Sequence, residues 1–204
     1  MRLMAIFFCV VVSGMATETS PTPLFDGKTF KGWEGNEKFF RIEKGAVVGG
    51  NLKSRIPRNE FLCTKRTYKN FVLTLEVKLR GGPRANAGIQ IRTKRIPNHH
   101  EVIGYQADMG QGWWGSLYDE SRRRTMLAKA DPAVIKKVLK PDDWNKYVIR
   151  CEGPRIRLYL NGTLTVDYTE KDPKIPLEGI IGLQIHSGPP SEAWYREIRI
   201  QELK

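Results

Sequence analysis

Phe71-Val72-Leu73-Thr74-Leu75-Glu76-Val77-Lys78-Leu79 places an apolar side chain at every second position. Successive side chains of an extended strand leave opposite faces, so Phe71, Leu73, Leu75, Val77 and Leu79 share one face and belong against a core. Downstream, Arg155-Ile156-Arg157-Leu158-Tyr159-Leu160 alternates in the same way and runs into Asn161-Gly162. That dipeptide is a strong signal for a type I′ hairpin turn, because both of its residues accept positive φ. Asn161-Gly162-Thr163 also spells a glycosylation sequon, but the turn accounts for it.

Working outward, similar short runs recur between turn residues: Phe39-Ile42, Ala46-Gly49, Phe61-Thr64, Gly88-Arg92, Gly104-Asp108, Tyr147-Cys151, Thr163-Tyr168, Gly179-His186 and Trp194-Glu202. This is the pattern of an all-β sandwich of two antiparallel sheets. One short helix interrupts it. Asp131 caps it, Pro132 suits its first turn, Val134, Val138 and Leu139 form one face, and Pro141 stops it.

Three strands share one short sentence: Gly88-Ile89-Gln90-Ile91-Arg92, Gly104-Tyr105-Gln106-Ala107-Asp108 and Gly182-Leu183-Gln184-Ile185-His186. Alternation sets each glycine, glutamine and ionisable residue on one face, opposite an apolar pair. If the strands are neighbours, Gln90, Gln106 and Gln184 join Arg92, Asp108 and His186 above a glycine floor. Such a face suits a polar, uncharged ligand. Close by, Gly110-Gln111-Gly112-Trp113-Trp114-Gly115-Ser116-Leu117-Tyr118 surrounds a Trp pair with glycines. Trp113, Trp114 and Tyr118 are candidates for a rim that takes the apolar faces of sugar rings.

Residues 1–16 read as a secretory signal. Arg2 is the positive start, Leu3 to Val12 the apolar run and Gly14-Met15-Ala16 the cleavage site. The run is shorter than the roughly 20 residues that span a bilayer. Residues 17–204 then form a single domain, exported to the periplasm or beyond. The formal net charge of +12 falls by one with Arg2. Its positive residues are dispersed, with one tight run at Arg122-Arg123-Arg124, which argues against nucleic acid as a partner. Neither does any later segment read as a membrane partner. Cys63 and Cys151 both lie in apolar stretches, so a disulfide and a pair of buried thiols stay open.

There is no Gly-x-Ser-x-Gly elbow and no activated cysteine for nucleophilic catalysis. A Glu-x-Asp-x-x-Glu cluster on one strand, which would flank a glycosidic bond for two-carboxylate hydrolysis, is absent as well. His99-His100-Glu101 reads as a loop, not a ligand set. A divalent metal and the oligomeric state stay open.

The chain resembles the 3-keto-disaccharide hydrolase domain family. The resemblance rests on Leu24-Phe25-Asp26-Gly27-Lys28-Thr29 with Gly32-Trp33, Trp144-Asn145-Lys146-Tyr147, Leu160-Asn161-Gly162, Asp167-Tyr168, Gly182-Leu183-Gln184-Ile185-His186-Ser187-Gly188 and Arg196-Glu197-Ile198-Arg199-Ile200. It implies a concanavalin-A-like jelly roll, secretion by bacteria and action on glycosides oxidised at the sugar 3-position. Where many members carry Tyr-Glu-x-Gln, this chain reads Tyr105-Gln106-Ala107-Asp108, with the acid displaced by two residues on the same strand face. The family's Gln-Asp-His-Gly stands here as Gln184-Ile185-His186-Ser187-Gly188, with its Gln and His kept.

A ketone at C3 acidifies the C2 proton, so the glycosidic bond can leave by elimination. That chemistry asks for a base, an acid and a stabiliser of the enolate. Asp108 and His186 are expected as base and acid or orienting partner, and Arg92 as enolate stabiliser. Gln90, Gln106 and Gln184 are expected to hold sugar hydroxyls. A carbohydrate-binding module without turnover is the rival expectation, and a structural or adhesion domain a third.

Overall fold

A computed structural model describes residues 20–204; the signal read over residues 1–16 lies outside them. In chain order the first strands are β1 (Thr22–Pro23), β2 (Trp33–Glu34), β3 (Phe40–Glu43), β4 (Ala46–Asn51), β5 (Glu60–Thr64) and β6 (Phe71–Gly81). Then come β7 (Asn86–Arg95), β8 (Val102–Gly110), β9 (Leu117–Glu120), β10 (Thr125–Ala128) and the helix α1 (Pro132–Val138). The chain closes with β11 (Asn145–Glu152), β12 (Arg155–Leu160), β13 (Thr163–Thr169), β14 (Ile180–Ile185) and β15 (Ser191–Glu202).

Two antiparallel sheets face each other. The first runs β13-β12-β11-β6-β15-β4-β3, with β1 added to β15; the second runs β10-β9-β8-β7-β14-β5-β2. The alternation of β6 is realised. Phe71, Leu73, Leu75 and Val77 are fully buried, and Val72, Thr74, Glu76 and Lys78 between them are half-buried. Facing them across the core stand Ala87, Ile89 and Ile91 of β7, Tyr105, Ala107 and Met109 of β8, and Leu183 and Ile185 of β14. Burying one Leu or Ile side chain is worth about 1.5–3 kcal/mol, so this interlayer is the main source of stability.

Local signals hold where they were specific. Asn161 and Gly162 take φ of 49° and 85° and join β12 to β13. The Asn161 amide donates to Val138 O and Asn145 Oδ1, each at 2.7 Å, so the sequon's side chain is spent inside the fold. Asp131 caps α1 by accepting from Ala133 N at 2.8 Å. Ile135, Val138 and Leu139 pack on the core; Ile135, not Val134, completes that face. Four strands go unread in the sequence, β1, β2, β9 and β10, because two to four residues are too few for alternation to show.

Cys63 and Cys151 are free and buried. They lie on strands of different sheets, and burial pushes both thiols up to about 12. The thiol reading is the one that holds.

Candidate functional site

β8, β7 and β14 are neighbours in one sheet, so the three Gly-x-Gln strands do lie side by side. Their register sets Gln90 opposite Gln106, Gly88 opposite both Asp108 and Gln184, and Gly182 opposite Gln90. Glutamines, glycines and Asp108 therefore share the face that points away from the core.

The glycines serve this face differently from the expectation. A Cβ on Gly88 would sit 2.5 Å from Gln106 Cγ and Cδ, and one on Gly182 would sit 3.1 Å from Gln90 Cβ. A Cβ on Gly104 would collide with Thr93. Each glycine makes room for a polar side chain of the next strand to lie across it, not for a ligand. The amides consequently run as a hydrogen-bonded chain. Thr93 Oγ1 donates to Gln90 Oε1 at 3.0 Å, Gln90 Nε2 to Gln106 Oε1 at 2.6 Å, and Gln106 Nε2 to Asp108 Oδ1 at 2.6 Å. Every link points its donor toward Asp108. Val102, at the start of β8, clusters with Phe61, Cys63 and Ile180 on the same face. Gln90 and Gln184 end up with no exposed surface at all.

What stays open is a cavity of about 230 Å³ lined by Asn86, Gln106, Asp108, Trp113, Tyr118, Glu120 and His186. Trp113 stands exposed at its edge. Tyr118 lies opposite Gln106, and Glu120 opposite Gly104, so both rise from β9 onto the polar face. His186 follows β14 directly. Its Nδ1 lies 2.6 Å from Ser187 O. A carbonyl only accepts, so Nδ1 carries the proton and Nε2 is the basic nitrogen. Two buried acceptors at the site make no hydrogen bond, Asn86 Oδ1 and Gln184 Oε1. Unmet buried polar atoms mark places where a ligand or water completes the network.

The opposite sheet fixes the site from below. Tyr147 OH donates to the Asp108 carbonyl at 2.6 Å and accepts from Gly115 N at 2.8 Å. Tyr195 OH donates to Gln184 O at 2.6 Å. Both tyrosines are fully buried, and burial raises their pKa values.

The two carboxyls are poised near neutrality. Burial lifts Asp108 to about 7; the Gln106 amide pulls it down and the charge of Glu120 pushes it up. Burial also lifts Glu120 to about 7, repulsion from Glu101 adds to that, and Ser121 N and the Gln184 amide oppose it. Gln184 Nε2 lies 3.4 Å from Glu120 Oε2. Carboxyls held near 7 in a hollow are suited to exchange protons with a substrate at neutral pH.

Three expectations need correction. Arg92 does not reach the cavity. Its φ of +48° and the register shift between Ile91 and Lys94 break the two-residue period there. The guanidinium instead donates to Lys69 O at 2.9 and 2.7 Å and to Gly153 O at 2.6 Å, tying β7 to connections of the other sheet. Trp114 packs on the core, stacked on Tyr147 with ring centroids 6.4 Å apart. Both rings lie in the turn between β8 and β9; Trp113 stands exposed at the rim, and Trp114 is half-buried against Tyr147 and lines a separate hollow with Leu79 and Ile135. Gln90 and Gln184 are buried outside the cavity lining and support Gln106 and Glu120 by hydrogen bonds; Gln106 alone of the three lines the cavity.

Glu120 and Asn86 were missed. The two-residue spacing of Tyr118 and Glu120 carried the signal, but a strand of four residues hid it. Asp108 and Glu120 supply a carboxyl pair from neighbouring strands, whereas a Glu-x-Asp-x-x-Glu cluster would sit on one strand. His99 and His100 stack at 4.5 Å in the β7–β8 turn, and His100 Nδ1 lies 3.0 Å from Asn59 O. Among the described residues no three His, Cys, Asp or Glu side chains are grouped to share a metal ion.

Comparison with solved structures places the fold. A candidate glycosyl hydrolase of Parabacteroides distasonis is 17% identical, with 90% of this chain and 94% of that one covered at a TM-score of 0.67. Carbohydrate binding module CBM66 of Bacillus subtilis is 15% identical, covering 84% and 96%, with a TM-score of 0.64. A Bacillus licheniformis β-glucanase is 10% identical, covering 84% and 92%, with a TM-score of 0.53. At these identities the likeness is one of fold, a concanavalin-A-like jelly-roll sandwich. Comparison with curated proteins finds no match. Residues 20–201 match the 3-keto-alpha-glucoside-1,2-lyase-like domain, and the chain belongs to that family.

Proposed function

We propose that this protein is an exported enzyme that cleaves 3-keto-glycosides by removing the C2 proton and eliminating the glycosidic oxygen. The observation that carries this reading is one small cavity holding Asp108 and Glu120, both lifted to about 7, beside His186. Its volume is below the roughly 300–1,000 Å³ usual for small-molecule sites, which suits one sugar unit edged by Trp113.

Asp108 is the base. Its Oδ1 is held by Gln106, and the other oxygen takes the C2 proton. The electron pair of the C–H bond moves toward C2–C3, and the C3 carbonyl becomes an enolate. As the enolate collapses, the C1–O bond breaks and a C1–C2 double bond remains, conjugated with the ketone. The leaving oxygen takes a proton from Glu120, part of which is protonated at neutral pH because burial lifts it to about 7, and the free Nε2 of His186 accepts from a sugar hydroxyl. With Arg92 engaged elsewhere, the Tyr118 hydroxyl and the Asn86 amide are the donors available to the enolate oxygen. Addition of water to the double bond afterwards would give net hydrolysis.

Cleavage of 3-keto-trehalose or 3-keto-lactose, followed by product analysis, tests the reading. Asp108→Asn should lower kcat by at least about 100-fold. Full activity in that variant would remove Asp108 from the chemistry. The jelly roll is shared with a carbohydrate binding module, which supports a second reading: sugar binding without turnover. In that case 3-keto substrates stay intact while plain oligosaccharides bind.

A further inference from the structure

A second hollow, of about 710 Å³, lies at the β7 bulge and shares no residue with the acidic cavity. Its lining includes Lys65, Arg92, Lys94, Arg95, Arg122 and Lys174, cations brought together from four segments of the chain. Two carboxylates line it. Glu34 is taken by Arg95, 2.8 Å away, and Glu178 accepts from Thr67 Oγ1 at 2.5 Å. Arg92 is committed to backbone carbonyls and Arg122 to the buried Asp119 carboxylate, 2.8 Å away, which leaves the lysines as the unpaired cations of the lining. Lys65, Lys94 and Lys174 stand exposed. The floor is apolar, made by Ile103, Ile175, Pro176 and Ile180.

The close approach that creates this hollow is specific to the sequence. A Cβ on Gly179 would sit 2.5 Å from the Arg92 and Thr93 backbone, so only a glycine lets the strand entering β14 press against the bulge. Arg122 comes from the β9–β10 turn, where Ser121 and Arg124 hold positive φ. Like charges gathered around an apolar floor repel one another unless an anion joins them, and a concave wall concentrates their field.

We infer that this hollow is a binding site for a small organic anion with an apolar face, of the class of a uronate, a sulfated sugar or an aromatic acid. The lysines meet the charge, and the isoleucines and Pro176 meet the C–H or ring face. Nothing in this inference depends on catalysis in the acidic cavity.

Isothermal titration of the protein with sodium glucuronate and 4-nitrophenyl sulfate tests it, with glucose and 4-nitroanisole as neutral counterparts and inorganic sulfate as a bare anion. At least one organic anion should bind about tenfold or more tightly than its neutral counterpart and than sulfate, and more weakly as salt rises. Which of the two binds separates the sugar acid from the aromatic acid. Lys94→Glu and Lys174→Glu are exposed changes that keep the fold, checked by an unchanged thermal midpoint. Each should weaken binding about tenfold, since reversal replaces attraction by repulsion. Equal binding of charged and neutral probes, sulfate binding as tightly as the organic anions, or indifference to both reversals would overturn the assignment.

Discussion

Gln106 donates to Asp108 Oδ1 at 2.6 Å while lying across the bare backbone of Gly88. The hydrogen bond favours the ionised carboxylate, and burial opposes it more strongly, leaving Asp108 at about 7. If Asp108 is the base, kcat/KM rises with pH through an acidic limb near 7. Gln106→Leu removes a donor to the charged form, so the limb should move to higher pH. A rate–pH profile of the two proteins checks this; an unmoved limb assigns it to another group.

Gly88→Ala should damage activity more than stability. The new Cβ would overlap Gln106 Cγ and Cδ, which must swing away and release Asp108. Gly88 is not among the residues with positive φ, so the backbone itself tolerates alanine. Overpacking of this kind costs about 1–3 kcal/mol in the folded state. Activity should fall at least about tenfold at a temperature where the variant remains folded, as judged by circular dichroism.

Stability itself should depend on pH in a defined direction. Burial raises the folded pKa values of Asp108 and Glu120 above the ordinary 3.8 and 4.5 of free carboxyls. Between roughly pH 4 and 7 the folded state therefore binds more protons than the unfolded chain, and stability falls as pH rises through that window. Asp108→Asn keeps an acceptor for Gln106 and removes the buried charge. At pH 8 it should add about 2 kcal/mol, a rise of about 4–8 °C in Tm for a chain of this size. At pH 4 the gain should vanish. Differential scanning calorimetry at both pH values decides.

Arg92→Met should unfold more readily without loss of turnover. Its guanidinium satisfies Lys69 O and Gly153 O from a buried position, and methionine leaves those carbonyls without their donors. Hydrogen bonds from charged donors are worth about 1.5–3 kcal/mol each, so a loss of about 2–4 kcal/mol is expected in urea unfolding. Turnover that falls in parallel at low temperature would return Arg92 to the chemistry.

The sequence was readable where period and turn chemistry act alone. Phe71 to Val77 fixed an inward face, Asn161-Gly162 a hairpin, and the repeated Gly-x-Gln pattern a polar face on each of three strands, which the sheet order then sets side by side. The site was readable only in part. A period of two assumes an unbroken ladder, and the left-handed backbone at Arg92 breaks it, sending the arginine through to the other sheet. The glycines looked like space for a ligand because a sequence does not show that Gln106, Thr93 and Gln90 fill that space. Glu120 escaped notice because its strand is four residues long and follows a glycine-rich turn.

The central claim is that Asp108 removes the proton on C2 of a 3-keto sugar. Incubating a 3-keto-glycoside with the protein in deuterium oxide, and reading C2 of the product by NMR, measures that step directly. The account predicts loss of the original C2 hydrogen during cleavage, with both exchange and cleavage abolished in Asp108→Asn. Cleavage that retains the original hydrogen at C2, or exchange undiminished in the variant, would contradict it.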